Sequence, residues 1–398
     1  MARVKGDIPD KTIIRIVLPT QAPTMSLVTM TFALLMSAIA SDHLTSPQHT
    51  ENPSSLELTS TLDGATSDWL FIYLGKISVA ITSYGYIVVG GLSIAGNVLN
   101  AIIMGRQKSI SPYAYLTAIA VCDLGIGFTL IWMGVVSNVE LQRKQRFIAD
   151  AAAVTSVAMY FVREWCDLSA LYLTVALSMD RLVAVKFPLR RSGWCRVKTA
   201  CVTCGVIMTS GLLLATHFLI RLKITWLPDV ESGLDLPNMS YTRIGRTQVV
   251  NDTVLYASLL LKMVLPLAVM AACNMMTLRQ IVRGEKFRMT SSATQKSRAA
   301  TGTQCLAITV GVIVTYFVTG IPQLTFNVYV SIYGYPKTLT PSTAFLAMFA
   351  ELLAWTKCCT NFFIYTILNR KFRDDLIDLF RLRSTRGDID NHPGIQIT

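Results

Sequence analysis

Residues 77–105 read ISVAITSYGYIVVGGLSIAGNVLNAIIMG, and none of them carries a charge. About 20 apolar residues suffice for a helix to cross a hydrocarbon core of about 30 Å. In water, a helix apolar on every side would have to be buried on every side. The run is also the first of a series. Asp123 is the sole charge in Ile110–Val139, and Ala151–Met179 holds Arg163, Glu164 and Asp167. Thr199–Ile220 has no charge, Val254–Leu278 has Lys262, Ala299–Tyr335 has none, and Thr338–Leu368 has Glu351 and Lys357. Seven such runs predict an all-α membrane protein, a seven-transmembrane helix bundle over residues 77–370.

Composition agrees. The chain is 52% hydrophobic and 15% charged, whereas soluble domains carry about 25% charged residues. That excludes an ordinary soluble enzyme, and the hydrophobicity excludes a disordered chain. A net charge of +12 suits nucleic acid or an anionic membrane, and its distribution decides between them. The connections after the first, third and fifth runs hold Arg106 and Lys108, then Lys186, Arg190, Arg191, Arg196 and Lys198, then Arg279, Arg283, Lys286, Arg288, Lys296 and Arg298, opposed by Glu285 alone. The other connections mix acids with bases. The basic side is cytoplasmic by the positive-inside rule, so the amino terminus lies outside. The expected partner is a lipid membrane, with no nucleic acid. The nine cysteines show no zinc-site spacing, and Cys201-x-x-Cys204 sits in an apolar run where small packing residues fit. The histidines His43, His49, His217 and His392 form no catalytic or metal spacing, so enzymatic activity is not expected.

The ends have their own chemistry. Residues 1–40 carry Arg3, Lys5, Lys11 and Arg15, then an apolar run ending Ala38-Ile39-Ala40. This fits a signal peptide, with an extra span or a start at Met25 as the competing readings. Residues 41–76 read as a solvated extracellular arm. In residues 371–398, Phe372, Leu376, Leu379 and Phe380 form a stripe flanked by Lys371, Arg373, Arg381 and Arg383. That predicts a short amphipathic helix on the membrane surface after the seventh span, then a cytoplasmic tail. Asn238-Met239-Ser240 and Asn251-Asp252-Thr253 fit the N-glycosylation acceptor pattern.

Short motifs recur in order, one or more per run. They are Gly96-Asn97-Val98; Leu116 with Ala120-Val121-Cys122-Asp123-Leu124; Asp180-Arg181-Leu182; Pro266; Pro322; and Asn361-Phe362-Phe363-Ile364-Tyr365 followed by Lys371-Phe372-Arg373. Together they resemble a rhodopsin-like (class A) G-protein-coupled receptor. The ending is most similar to invertebrate neuropeptide receptors of the FMRFamide-receptor-like group.

The resemblance implies roles. Asn97, Asp123 and Asn361 would form a polar switch core with Lys357 and Tyr365. In the family that core often holds sodium. Here Lys357 is expected to pair with Asp123 and take the cation's place, which makes a sodium site doubtful and leaves no cofactor expected. Asp180 and Arg181 would meet a heterotrimeric G protein, with Asn274 in reach of Arg181 or Tyr365. Pro266 and Pro322 would act as hinges, since each removes a helix hydrogen bond. Several family features are missing. Leu182 replaces a tyrosine, Gly302 replaces an acidic lock partner, and Ser156 replaces the cysteine of the outer disulfide. The missing lock predicts high basal activity.

The outer halves of the spans carry Arg163, Glu164, Asp167, Lys262 and Glu351, with Gln323 and Asn327 after Pro322. Polar residues within a membrane are costly and usually functional. A mixed-charge cavity suits an extracellular peptide ligand such as a neuropeptide. Internal pairing, for example Arg163 with Asp167 at i, i+4, is the other reading. The expected protein is a plasma-membrane receptor. A seven-helix channel or transporter, or a receptor for a small non-peptide ligand, is the alternative.

Overall fold

The structure, a computed structural model, describes residues 53–106, 111–187, 193, 195–229, 232–288, 310–312, 314–329 and 341–390. The expected leader, the arm before Pro53, Gly302 and Cys305 lie outside the described residues. The chain is mostly helical. In order it forms α1 (Pro53–Arg106), α2 (Ser111–Val136), α3 (Val139–Lys144), α4 (Arg146–Lys186), α5 (Val197–Ala215) and α6 (His217–Arg221). A β-hairpin follows, β1 (Leu222–Pro228) and β2 (Asp235–Tyr241). Then come α7 (Gln248–Ser258), a π-helical turn (Leu259–Val264), α8 (Leu265–Arg288), α9 (Val310–Tyr329), α10 (Pro341–Trp355), α11 (Lys357–Leu368) and α12 (Arg370–Asp390).

Among the described residues, six helical stretches are long and apolar enough to cross a membrane: Ala80–Arg106, Ser111–Val136, Arg146–Lys186, Val197–Arg221, Gln248–Arg283 and Val310–Tyr329. These correspond to the first six expected runs. The seventh run differs from expectation, because α10 and α11 are separate helices that meet at Thr356. Side chains tighten the backbone there. Thr356 Oγ1 donates to the Leu353 carbonyl, Cys358 Sγ to Trp355, and Thr360 Oγ1 to Lys357, each three residues back. Such local bonds compete with regular helix. The first helix also extends beyond its apolar run, beginning at Pro53 within the expected arm. Proline suits a first helical turn, and no further proline interrupts the chain before Pro112.

Small residues bring the first two spans together. A methyl group added at Gly90 would stand 2.6 Å from the Gly127 carbonyl oxygen, and one at Gly134 would stand 2.6 Å from that of Ser83. Apolar contact between helices gains little in lipid, so backbones that approach closely gain dispersion instead. Behind that seam, Ile119, Ile126, Leu130 and Leu173 form a buried core with Trp355 and Cys358. Val202, Val206 and Leu213 on α5 are exposed, as expected of side chains that face lipid.

The hairpin pairs antiparallel from Leu222↔Tyr241 to Pro228↔Asp235. Its turn uses Gly233 at φ 67, a left-handed conformation that glycine adopts without a steric penalty. Asp229 closes the turn by accepting from the Ser232 amide and hydroxyl. With Ser156 in place of a cysteine and no cysteine between residues 205 and 272, no disulfide ties the hairpin to the third span. Two arginines hold it instead, Arg143 on α3 and Arg146 at the start of α4. Arg143 bridges Glu140 at 3.1 Å and Asp229 at 2.9 Å. Arg146 donates to the Asp235 carbonyl at 2.9 Å and lies 4.9 Å over the Trp226 ring. Partial burial would raise the Asp229 pKa, but Arg143 and Ser232 outweigh it and hold the carboxyl below its ordinary range.

The clamp is therefore ionic. A carboxylate with a lowered folded pKa stabilises at neutral pH, and that contribution is lost as pH falls through the lowered value. A partly exposed pair contributes at most about 1 kcal/mol. Arg143→Ala is thus expected to speed amide hydrogen exchange of β1 and β2 by roughly two- to fivefold. Acidification below the usual carboxylate range should mimic the substitution, and thiol reductant should leave exchange unchanged.

Candidate signalling core

The core is built around Pro266. Proline has no N–H, so a carbonyl one turn earlier loses its donor. The chain responds with the π-helical turn Leu259–Val264, in which the Leu265 amide reaches back five residues to Leu260. Two carbonyls face the missing donor, Leu261 in π register and Lys262 in α register. Tyrosines from other spans satisfy both. Tyr172 Oη donates to Leu261 and Tyr316 Oη to Lys262, each at 2.8 Å. Unpaired backbone groups are expensive inside a membrane, so these hydroxyls fix the third and sixth spans against the fifth. π-turns of this kind often mark functional positions.

The same turn carries Lys262 into the bundle. Its ammonium lies 2.8 Å from Glu164 Oε1 and 3.4 Å from Asp167 Oδ2. Asp167 Oδ1 accepts the Lys357 ammonium at 2.6 Å. Glu164, Lys262, Asp167 and Lys357 thus form a chain of alternating charge across the third, fifth and α10–α11 segments. This corrects one expectation and sets aside one alternative reading. Lys357 pairs with Asp167 and not with Asp123, and Asp167 does not pair with Arg163. Both follow from reach. The ammoniums of Lys262 and Lys357 converge on Asp167 from two facing helices. The Arg163 guanidinium instead lies between the rings of Tyr160 and Trp355, at 4.3 and 4.6 Å. Glu351 approaches it at 3.9 Å. Arg163 is 5% exposed, and its Nη1 has no hydrogen-bond partner.

A second polar layer brings the expected trio together. Asn361 Nδ2 donates to Asp123 Oδ2 at 2.9 Å. Asn97 Nδ2 donates to the Cys358 carbonyl at 2.7 Å, and Ser93 Oγ to the Asp123 carbonyl. Asn97 therefore secures the backbone just past the break at Thr356. Tyr365 lies apart from this layer, buried against Phe372 with ring centroids 5.9 Å apart. A cavity joins the two layers. It is small, with a volume of about 40 Å³, and Asp123, Asp167, Thr174, Tyr316, Lys357 and Asn361 are among its lining. That lining sets the Lys357 ammonium beside the two carboxylates.

At the Arg181 end, Asp180 accepts the Ser111 hydroxyl at 2.9 Å. Asn274 does not bridge to Arg181 or Tyr365. Its amide donates to the Met270 carbonyl of its own helix at 2.6 Å and is buried. Gln323 and Asn327 sit half-buried on α9. Asn327 Oδ1 has no hydrogen-bond partner, and neither residue joins the ion-pair chain. Of the glycosylation candidates, Asn251 accepts from Arg221 at 2.6 Å in the first turn of α7, whereas Asn238 lies in β2 opposite Thr225. Tyr160, Tyr172, Tyr316 and Trp355 were not singled out from the sequence. The available signal was that Tyr172 and Tyr316 are hydroxyl-bearing side chains inside apolar runs, where each needs an acceptor.

A lipid-crossing helical bundle with a paired polar interior is what multi-pass membrane receptors share. Residues 96–365 match the family described as 7 transmembrane receptor (rhodopsin family). The chain belongs to that family, whose members are receptors and not enzymes. It is similar to the FMRFamide receptor of Drosophila melanogaster, 24% identical over 311 residues that cover 76% of this chain and 54% of that receptor. It thus spans about half the length of the Drosophila protein. It is also similar to somatostatin receptor type 5 of Rattus norvegicus, 23% identical over 76% of this chain and 78% of that one. The C3a anaphylatoxin chemotactic receptor of Oncorhynchus mykiss is 24% identical over 52% of each chain.

Breaking a buried ion pair by removing one partner costs about 3–5 kcal/mol, because the other charge is stranded. Lys262→Met should therefore lower the thermal midpoint of the purified protein strongly, leaving Glu164 without its cation. Lys262→Met with Glu164→Gln should recover most of the loss in the same melt.

Proposed function

We propose that this chain is a plasma-membrane receptor with its amino terminus outside, which binds an extracellular peptide and promotes nucleotide exchange on a heterotrimeric G protein. The carrying observation is that Arg163, Glu164, Asp167, Lys262, Glu351 and Lys357, all within the spans, are tied to one another across helices. Charges consumed in mutual pairs suit a bundle held in one of two arrangements, and a ligand shifts such an equilibrium by its differential affinity. An ion path would need them free to meet a permeating ion, which weighs against the channel reading.

A peptide ligand is supported by the mixed charge of Arg163, Glu351 and the Glu164–Lys262 pair, and by the names of the three relatives. A neuropeptide remains our choice within that class. On this reading Gln323 and Asn327 contact the ligand, Asp180 and Arg181 face the G protein, and Pro266 and Pro322 are the hinges. Asn238 is a glycan acceptor, and Asn251 serves only if it leaves Arg221. The helix α12 lies on the inner membrane face with Arg370, Lys371 and Arg373 toward anionic lipid. With Lys357 in the central cavity, no cofactor or resident cation is required.

The experiment is a neuropeptide library screened on expressing cells by calcium and cAMP. A peptide response lost in Arg181→Ala with surface expression kept supports the receptor. A ligand-gated current that survives Arg181→Ala sinks it. Basal exchange above that of untransfected cells is expected, and the affinity of any agonist found should not change when sodium replaces potassium.

A further inference from the structure

We propose that Lys357 is a two-position lever, moving its ammonium between Asp167 on the third span and Asp123 on the second. The two carboxylates line one cavity, and Lys357 lines it with them. In this structure the ammonium rests on Asp167 Oδ1 at 2.6 Å. Asp123 meanwhile is held by the neutral amide of Asn361, one turn along the same helix as Lys357. Asp167 has a second cation in Lys262 at 3.4 Å, so it stays paired when Lys357 leaves. Asp123 has no ammonium until Lys357 arrives. Each end of the travel therefore leaves the Lys357 ammonium on a carboxylate and Asp167 on a cation, while Asp123 exchanges the Asn361 amide for the ammonium, which allows two discrete states in a low-dielectric interior.

The backbone supplies the freedom. Lys357 is the first residue of α11, directly after the break at Thr356. The Tyr316 and Trp355 rings flank its ammonium at 5.3 and 5.5 Å, and such faces stabilise a cation in transit. The Tyr316 hydroxyl is at the same time bonded to the Lys262 carbonyl. Movement of Lys357 is thereby coupled to the sixth span and to the π-turn of the fifth. In the Asp167 position the lever ties α11 to the third span. In the Asp123 position it ties α11 to the second span and releases the third.

What the lever drives rests on the receptor reading, but its existence is tested without ligand or G protein. The probe is the thermal midpoint of the purified full-length protein. Asp167→Asn and Asp123→Asn each leave Lys357 one carboxylate, so each should lower the midpoint by a few degrees. The double variant strands the ammonium and should lower it by about twice the sum or more. Lys357→Met added to the double variant should restore most of the loss. If the double variant does not accumulate as folded protein, recovery of folded protein on adding Lys357→Met is the equivalent rescue. Additive single effects, or no rescue by Lys357→Met, overturn the lever. An environment-sensitive fluorophore placed at Arg279 by a non-canonical amino acid supplies a second reading. Asp167→Asn and Asp123→Asn should move its emission in opposite directions, and Lys357→Met should abolish the difference. Shifts in the same direction overturn the proposal. A lever that passes both tests in a protein inert toward every G protein would separate failure of the receptor reading from failure of this one.

Discussion

The architecture depends on one constraint, that no polar group can be left without a partner in hydrocarbon. Pro266 deprives one carbonyl of its donor, and the chain answers with a π-turn and two tyrosines from neighbouring spans. The π-turn carries Lys262 into the bundle, and Lys262 then needs Glu164 and Asp167. One missing N–H thus propagates into ties among the third, fifth and sixth spans. Asp167 extends them to Lys357 and the α10–α11 segment.

The family's usual outer disulfide is absent, and a different bond type takes over its place in the fold. Arg143 and Arg146 anchor the hairpin through Asp229, the Asp235 carbonyl and the Trp226 ring. An ionic clamp exchanges more readily than a covalent one and responds to salt and pH. The hairpin, at the end of the bundle opposite Arg181, is accordingly held by interactions for which other ions are able to compete. The deeper ion pairs are shielded from that competition by their burial.

Much of this was legible in the order of residues, but not all at the same resolution. The charge-poor runs located the six crossing helices found among the described residues, because helix length against membrane thickness is a property of local sequence. The motif order located Asn97, Asp123 and Asn361, and the structure does bring them into one hydrogen-bonded layer. The break at Thr356 was not legible, since threonine and cysteine back-bonding is common in unbroken helices as well. The helical course of residues 53–76 was obscured by their polar composition, which fits an arm and a helix equally.

Side-chain pairing shows where linear order stops. Spacing along the third span made Arg163 and Asp167 neighbours at i, i+4, and their opposite charge made a pair plausible. The bundle instead presents Tyr160 and Trp355 to Arg163, and two ammoniums to Asp167. Lys357 likewise lines one cavity with two carboxylates and rests on Asp167. The order of residues was enough to establish a membrane bundle, the polar positions within it, and the family they resemble. Which charge meets which was settled in three dimensions, because helix rotation and the packing of glycine seams set distances that no linear spacing contains.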